Sequence, residues 1–297
     1  MARLLGSAAG AALGLREQFA AGEMVLAPGC YDALRARLVE EAGFSAAYMT
    51  GFGSAAARLG RPDVGLMTLP EMVDNARRIA ETVDIPVVAD ADTGYGNSIN
   101  VIRTVREYEA AGVEAIHLED QVMPKKCGHM SGKQVVPAAE MAAKVSAAVA
   151  ARRSSEFLII ARTDARAVEG LEAAIARARM YREAGADALF VEAPQSEVEI
   201  EAVARAFPDV PLLFNYAEGG KTPPVSHERL RELGFSLVIF PLTLLLVATS
   251  AMRDALARVR VHGTPIELLP SLLPFDEFLE FIGLPEIEEL EQRFAEG

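Results

Sequence analysis

Asp90 and Asp92, in VVADADTGYG, and Glu119, in HLEDQVMPKKCGH, form a donor set made only of carboxylate oxygens. Hard oxygen ligands of this kind suit Mg2+ or Mn2+ rather than zinc. Two acids flanking a single alanine repel each other unless a cation offsets their charge. Taken singly, Asp92 and Asp164 read as helix N-caps or loop residues, the ordinary role of an aspartate after a strand.

A second cluster follows directly: Lys125, Lys126, Cys127, Gly128 and His129. Two cations and an imidazole beside a cysteine favour the thiolate, so the sequence predicts a lowered pKa for Cys127 and a thiol placed for proton transfer. Cys30, in PGCYDAL, reads instead as a small buried hydrophobe in a turn entering a helix. His117 lies inside an apolar run and reads as a core histidine with its hydrogen bonds satisfied. His227 and His262 show no partner in the sequence.

The elements that would position these groups announce themselves by a recurring phrase: EAGFSAAYM at 41–49, AAGVEAIHL at 110–118, EAGADALFV at 183–191 and ELGFSLVIF at 232–240. In each, a helical stretch ends at a glycine able to take the left-handed cap conformation, and a short apolar run follows. Four more runs, Met24–Ala27, Pro86–Ala89, Phe157–Ala161 and Pro211–Phe214, bring the strands to eight. Continuous rather than alternating apolar strands imply a parallel sheet covered on both faces, hence a (β/α)8 barrel. A doubly wound sheet would need a Gly-rich phosphate turn, and GFGSAA at 51–56 lacks that form. In a barrel the chemistry gathers at the C-terminal strand ends, where Thr50, Asp90, Glu119, Arg162, Glu192 and Asn215 stand.

The chain has 297 residues with 29 Lys+Arg against 42 Asp+Glu, a net charge of −13. No basic cluster exceeds two residues, as at Arg152-Arg153 and Lys125-Lys126, which argues against nucleic acid and anionic membrane surfaces and for a small-molecule partner. Two cysteines in all predict a reducing, cytoplasmic setting. The run RLLGSAAGAALGL at 3–15 is superficially like a signal peptide, but its flow into LREQFAAG favours a surface N-terminal helix.

Five segments together, VVADADTGYGN, HLEDQVMPKKCGH, ARTDA, FVEAP and NYAEGGKTP, resemble the isocitrate lyase/phosphoenolpyruvate mutase superfamily, with similarity over about residues 22–255. The resemblance implies a TIM-type barrel over 22–255 in a single domain spanning 1–297. It also implies a helical tail, 256–297, whose terminal helix is exchanged between subunits of a homodimer, with dimers pairing into a homotetramer. By the same resemblance Asp90 would hold Mg2+ (or Mn2+) most directly, with Asp92, Glu119 and Asp63 acting largely through water. Thr50 and Gly51 would meet the substrate carboxylate and oxygen, and Arg162 would pair with a carboxylate in bidentate fashion. Phe52, Asp90, Lys125, Gly128, His129, Glu192 and Asn215 would complete the substrate pocket. Cys127 would be the catalytic thiol on a mobile loop near 121–135, with Glu119 also in the catalytic set and Tyr48 as candidate base.

Cys127 points to carbon–carbon lyases, because the family's phosphonomutases resemble one another in lacking it. Methylisocitrate lyases resemble one another in an arginine just after strand eight, which binds a third carboxylate; FPLTLLLVA here places Leu246 at that position. The EGGKTP form resembles relatives acting on smaller dicarboxylates. The expected activity is Mg2+-dependent cleavage of the C2–C3 bond of a 2-hydroxydicarboxylate, with 2,3-dimethylmalate giving pyruvate and propionate. Oxaloacetate hydrolysis, methylisocitrate cleavage, carboxyphosphonoenolpyruvate rearrangement and a non-catalytic dicarboxylate-binding barrel are the alternatives.

Overall fold

The computed structural model describes Leu4 and residues 12–295. Eight strands, β1 (Val25–Cys30), β2 (Ala47–Met49), β3 (Val87–Asp90), β4 (Ala115–Glu119), β5 (Leu158–Thr163), β6 (Ala188–Val191), β7 (Leu213–Asn215) and β8 (Leu237–Phe240), pair in parallel in the order β6-β5-β4-β3-β2-β1-β8-β7. A parallel bridge from Leu189 to Leu212 closes β6 onto the start of β7, so the sheet is a (β/α)8 barrel. Strands and helices alternate through α2 (Ala33–Glu41), α3 (Gly51–Leu59), α4 (Leu69–Ala80), α5 (Ser98–Ala110), α6 (Ala138–Ala151), α7 (Leu171–Glu183), α8 (Glu197–Ala206) and α9 (His227–Glu232). Gly43, Gly112, Gly185 and Gly234 all have φ between 83° and 103°, as the recurring helix-cap-strand phrase requires.

Apolar residues on alternate strand positions divide between two cores. Val25, Ala27, Tyr48, Val88, Leu158, Ile160, Phe190, Leu213 and Ile239 fill the barrel interior, whereas Met49, Ala89, Ile116, Ile159, Leu189 and Val238 pack against the helices. Two buried faces explain the unbroken apolar runs in the sequence. The interior-facing parity, continued to the strand ends, delivers Thr50, Asp90, Glu119, Arg162, Glu192 and Asn215 to one rim. Register sets their neighbours, with Asp90 opposite His117 and Glu119 opposite Arg162.

Most of the N-terminal run 3–15 lies outside the described residues. The helix after it, α1 (Leu15–Ala20), is more than a surface element: Leu15 is fully buried in the interior core, and its backbone N–H donates to Glu114 Oε2 at 2.8 Å. Cys30 ends β1 rather than lying in a turn; it is buried as expected, and burial pushes its thiol up to about 12.

The chain from Leu245 onward forms a second compact unit. It carries α10 (Thr243–His262) beyond its first two residues, a 3₁₀ turn, α11 (Phe275–Phe281) and α12 (Leu284–Phe294). No described residue of these three helices is buried, and α10 continues unbroken through residues 255 and 256. Among the described residues no helix is long and apolar enough to cross a membrane.

Candidate active site

A cavity of about 220 Å³ opens at the C-terminal strand ends. Tyr48, Thr50, Phe52, Asp63, Asp90, Lys125, Cys127, Gly128, His129, Arg162, Glu192 and Asn215 all line it. The other three expected residues stand just behind. Gly51 lies so close to Asp90 that an added Cβ would sit 2.3 Å from its Oδ2, which reserves the first turn of α3 for glycine. Asp92 pairs with Lys125, and Glu119 lies beside Arg162.

The floor is aromatic. Tyr48 and His117 stack at 5.8 Å between centroids, His117 meets the Phe190 edge at 5.7 Å, and Arg162 lies 5.0 Å over the Phe190 ring. Tyr48 Oη is 2.9 Å from His117 Nε2. Burial, with Asp90 adding to it, keeps the Tyr48 phenol well above 10, and burial lowers His117 to about 4, so both are neutral near pH 7. His117 is only half satisfied: Nδ1 has no hydrogen-bond partner and lies 3.8 Å from Asp90 Oδ1.

Lys125, almost wholly buried, places Nζ 2.6 Å from Asp63 Oδ2 and 2.7 Å from Asp92 Oδ1. Burial pushes Asp92 up to about 7; Lys125 opposes the shift, while Asp90 and Asp63 reinforce it. Glu119 rises well above the usual carboxylate range through burial, against the pull of Arg162. Its Oε1 is buried without a hydrogen-bond partner. Acids held toward their protonated forms, one with an orphaned oxygen, fit a site completed by a hard cation. Among the described residues no three of His, Cys, Asp or Glu converge tightly enough to enclose an ion.

Arg162 Nε lies 2.9 Å from Asp164 Oδ2 and 3.3 Å from Glu119 Oε2, with Nη2 3.2 Å from Asp164 Oδ1. Asn215 Nδ2 is 3.2 Å from both Glu192 oxygens, and His129 Nε2 is 3.2 Å from Glu192 Oε1. The Lys221 N–H donates to His129 Nδ1 at 3.0 Å, tying the 121–135 segment to the loop after β7.

The expectation for Cys127 is corrected. The Cys127 pKa is raised, not lowered: burial dominates and Glu192 and Asp63 add to it, outweighing the His129 N–H and Arg162. The neighbouring lysines do not stabilise a thiolate, because Lys125 is committed to Asp63 and Asp92 and Lys126 Nζ reaches the Gly132 carbonyl at 3.0 Å. Cys127 is a protonated thiol, suited to giving a proton. Asp164 is a loop residue after β5, as read, and of its two readings the cap is the one not used: its side chain grips Arg162 and Lys133. Asp92 is likewise a loop residue and not a cap, sitting at φ 48° in the turn after β3.

Sequence reasoning missed Lys133, Asp164 and the apolar lining of Met130, Pro241 and Leu242. The ARTDA and SGKQ segments contain the first two, yet no spacing rule joins groups 31 positions apart that meet only in the folded chain.

Gly128 has a sharp steric requirement: an added Cβ would lie 2.0 Å from Glu192 Oε1 and 2.5 Å from Arg162 Nη2. Gly128→Ala should therefore lower kcat/KM by about 10²-fold, the cost of displacing reacting groups by about an ångström. Thermal unfolding should move little, because the conflict lies at the cavity and not in either core. Kinetics within threefold of wild type would show that this approach is not needed for turnover.

A family described as phosphoenolpyruvate phosphomutase matches residues 15–260. The 2,3-dimethylmalate lyase of Eubacterium barkeri is 46% identical over 283 residues, covering 95% of this chain and 98% of that protein. A probable 2-methylisocitrate lyase of Corynebacterium glutamicum is 48% identical over 245 residues, covering 82% of this chain and 80% of that one. Among solved structures, oxaloacetate acetylhydrolase in complex with the inhibitor 3,3-difluorooxalacetate matches with TM-score 0.90 at 40% identity, covering 97% of this chain and 98% of that one. Phosphonopyruvate hydrolase in complex with oxalate and Mg2+ matches with TM-score 0.87 at 32% identity, covering 95% and 98%.

Proposed function

The chain belongs to the phosphoenolpyruvate mutase/isocitrate lyase superfamily, and from that membership we propose that it cleaves the C2–C3 bond of a 2-hydroxydicarboxylate, with 2,3-dimethylmalate giving pyruvate and propionate. One observation carries this reading: a cysteine kept protonated by its surroundings lines the same small cavity as a buried arginine. Binding alone needs no acid; a carbanion-like leaving fragment does.

Asp90, Asp92, Glu119 and Asp63 would hold Mg2+, which when bound supplies Lewis-acid stabilisation of the charge on the 2-oxoacid oxygen. Arg162 takes a substrate carboxylate, and Thr50 and Gly51 orient it from the start of α3. With His117 neutral and its Nε2 assigned as acceptor, Tyr48 can accept the C2 hydroxyl proton as its own passes to Nε2. Cys127 Sγ–H protonates C3 of the departing monocarboxylate. Glu192, held ionised by Arg162 and His129 against burial, orients Asn215, and the folded 121–135 segment excludes water.

The dicarboxylate preference rests on what the cavity has left to offer. Arg162 and Lys125 are already paired with carboxylates, and the rest of the wall includes Phe52, Met130, Pro241 and Leu242. After Phe240 the sequence has no basic residue before Arg253. A third carboxylate would be desolvated without a partner, a cost of several kcal/mol. A panel of dicarboxylates and methylisocitrate with Mg2+, products identified by mass, tests this. The kcat/KM for 2,3-dimethylmalate should exceed that for methylisocitrate by about 10²-fold or more. Equal or better turnover of methylisocitrate would overturn the preference, and oxalate plus acetate from oxaloacetate as the best reaction would replace cleavage with hydrolysis.

We further read the second unit as the exchanged element of a homodimer, with dimers pairing into a tetramer. Helices α10 to α12 without one buried described residue support a partner covering them. Two free cysteines are consistent with a cytoplasmic setting.

A further inference from the structure

Lys133 is a lysine with almost no reason to be where it is unless it acts there. Its side chain is 1% exposed, its Nζ lies 2.5 Å from Asp164 Oδ1, and it also donates to the Gly128 carbonyl. It belongs to the same 121–135 segment as Cys127, and Gly128 is the residue pressed against Glu192 and Arg162. A single ammonium thus joins the folded segment to the strand-five end. Burying a lysine is costly unless it is paired, so the folded position of the segment depends on this pair.

The pair also alters what Arg162 can offer. Three carboxylates, Asp164, Glu119 and Glu192, lie within 4 Å of the guanidinium, and Asp164 alone engages two of its nitrogens. An arginine so fully claimed is a poor receptor for a further anion. Lys133 shares Asp164 Oδ1 with Arg162 Nη2, placing a second positive charge on the most tightly engaged of the three acids. In a water-poor site a charge a few ångströms away is weakly screened.

We propose that Lys133 is a positioning residue that couples folding of the 121–135 segment to anion binding: by taking a share of Asp164 it frees Arg162 to hold the substrate carboxylate. The inference rests on the dicarboxylate reading for the identity of the anion, but not for the latch itself. Asp164 is the counterion whose grip is tuned, and its own backbone N–H and the neighbouring Thr163 hydroxyl are fixed by Asp120 at 2.8 and 2.7 Å. The acid therefore stays in place whether or not Lys133 is present.

Titration calorimetry with oxalate in saturating Mg2+ reads the effect directly. Lys133→Met should weaken oxalate at least tenfold and raise KM more than it lowers kcat, and Lys133→Arg should restore most of both. In an Asp164→Asn background, where the tuned charge is gone, adding Lys133→Met should change oxalate affinity less than twofold. An equal loss in both backgrounds would mean that Lys133 acts without Asp164 and would overturn the proposal, as would wild-type affinity in Lys133→Met. Hydrogen exchange of the 121–135 amides without ligand supplies a second measure: it should accelerate in Lys133→Met and stay slow in Lys133→Arg, and unchanged exchange in both would also overturn the latch. Failure of the wild type to turn over any dicarboxylate would defeat the functional reading while leaving the oxalate and exchange results to decide on Lys133.

Discussion

Cys127→Ser should lower kcat by about 10²- to 10⁴-fold, the contribution of a positioned proton donor, while leaving the fold and oxalate binding close to wild type. The backbone contacts of residue 127 do not use its side chain: its N–H donates to the Asp63 carbonyl at 3.2 Å, and its carbonyl accepts from Met130 at 2.8 Å. A serine hydroxyl is nearly isosteric but a far weaker acid, so the loss should fall on kcat and not on KM. The pH dependence carries the same signature. An acid works while protonated and fails as pH rises through its pKa, and burial has moved that point above 9 for this thiol. Wild-type kcat should therefore hold past the pH at which an ordinary thiol ionises, about 8.5. A variant within threefold of wild type would remove the thiol from the acid role, whereas an alkaline limb well below pH 9 that vanishes in Cys127→Ser would keep that role and overturn the raised pKa.

Chelation should have the other large effect. Excess EDTA should take activity down by about a thousandfold or more, the several kcal/mol that a bound cation contributes to a developing oxyanion, and Mg2+ or Mn2+ should restore it. The acids themselves supply the reason. Asp63, Asp90, Asp92 and Glu119 stand buried at one end of the barrel with Lys125 and Arg162 as cationic neighbours, and two of the four are driven toward their protonated forms. Without the ion, the reacting oxygen would have near it only Lys125 and Arg162, both already paired with carboxylates. Full turnover in excess chelator would assign these carboxylates to Lys125 and to structure.

The barrel was legible because its two requirements leave marks on neighbouring residues. Strands buried on both faces give unbroken apolar runs, and helix ends that turn into strands need a residue at positive φ, as at Gly43 and Gly112. The site was legible wherever a polar residue closes such a run: Asp90, Glu119, Arg162, Glu192 and Asn215 each continue an interior-facing row. Where meaning arises from contacts between distant segments, local reading fails. Lys133 and Asp164 stand 31 positions apart, and nothing in either neighbourhood predicts their ion pair. Cys127 shows the same limit, since its two lysine neighbours in sequence are turned to other partners and burial decides its proton.

The interior-facing row has a consequence for how such a chain can change. Side chains alternate faces with period two, so inserting one residue within β4 would hand Glu119 to the helix layer and bring Leu118 to the rim. The same frame shift in β5 would withdraw Arg162 and present Ala161. Loops that hold no reacting group carry no such constraint and can lengthen or shorten, unlike the 121–135 segment, whose Cys127, Gly128 and Lys133 must keep their places. Lineages descending from this chain should thus almost never record indels within the strands, and a laboratory library seeking new substrates has residues 216–219, between Asn215 and the Lys221 contact to His129, and the strand-eight exit as its open ground.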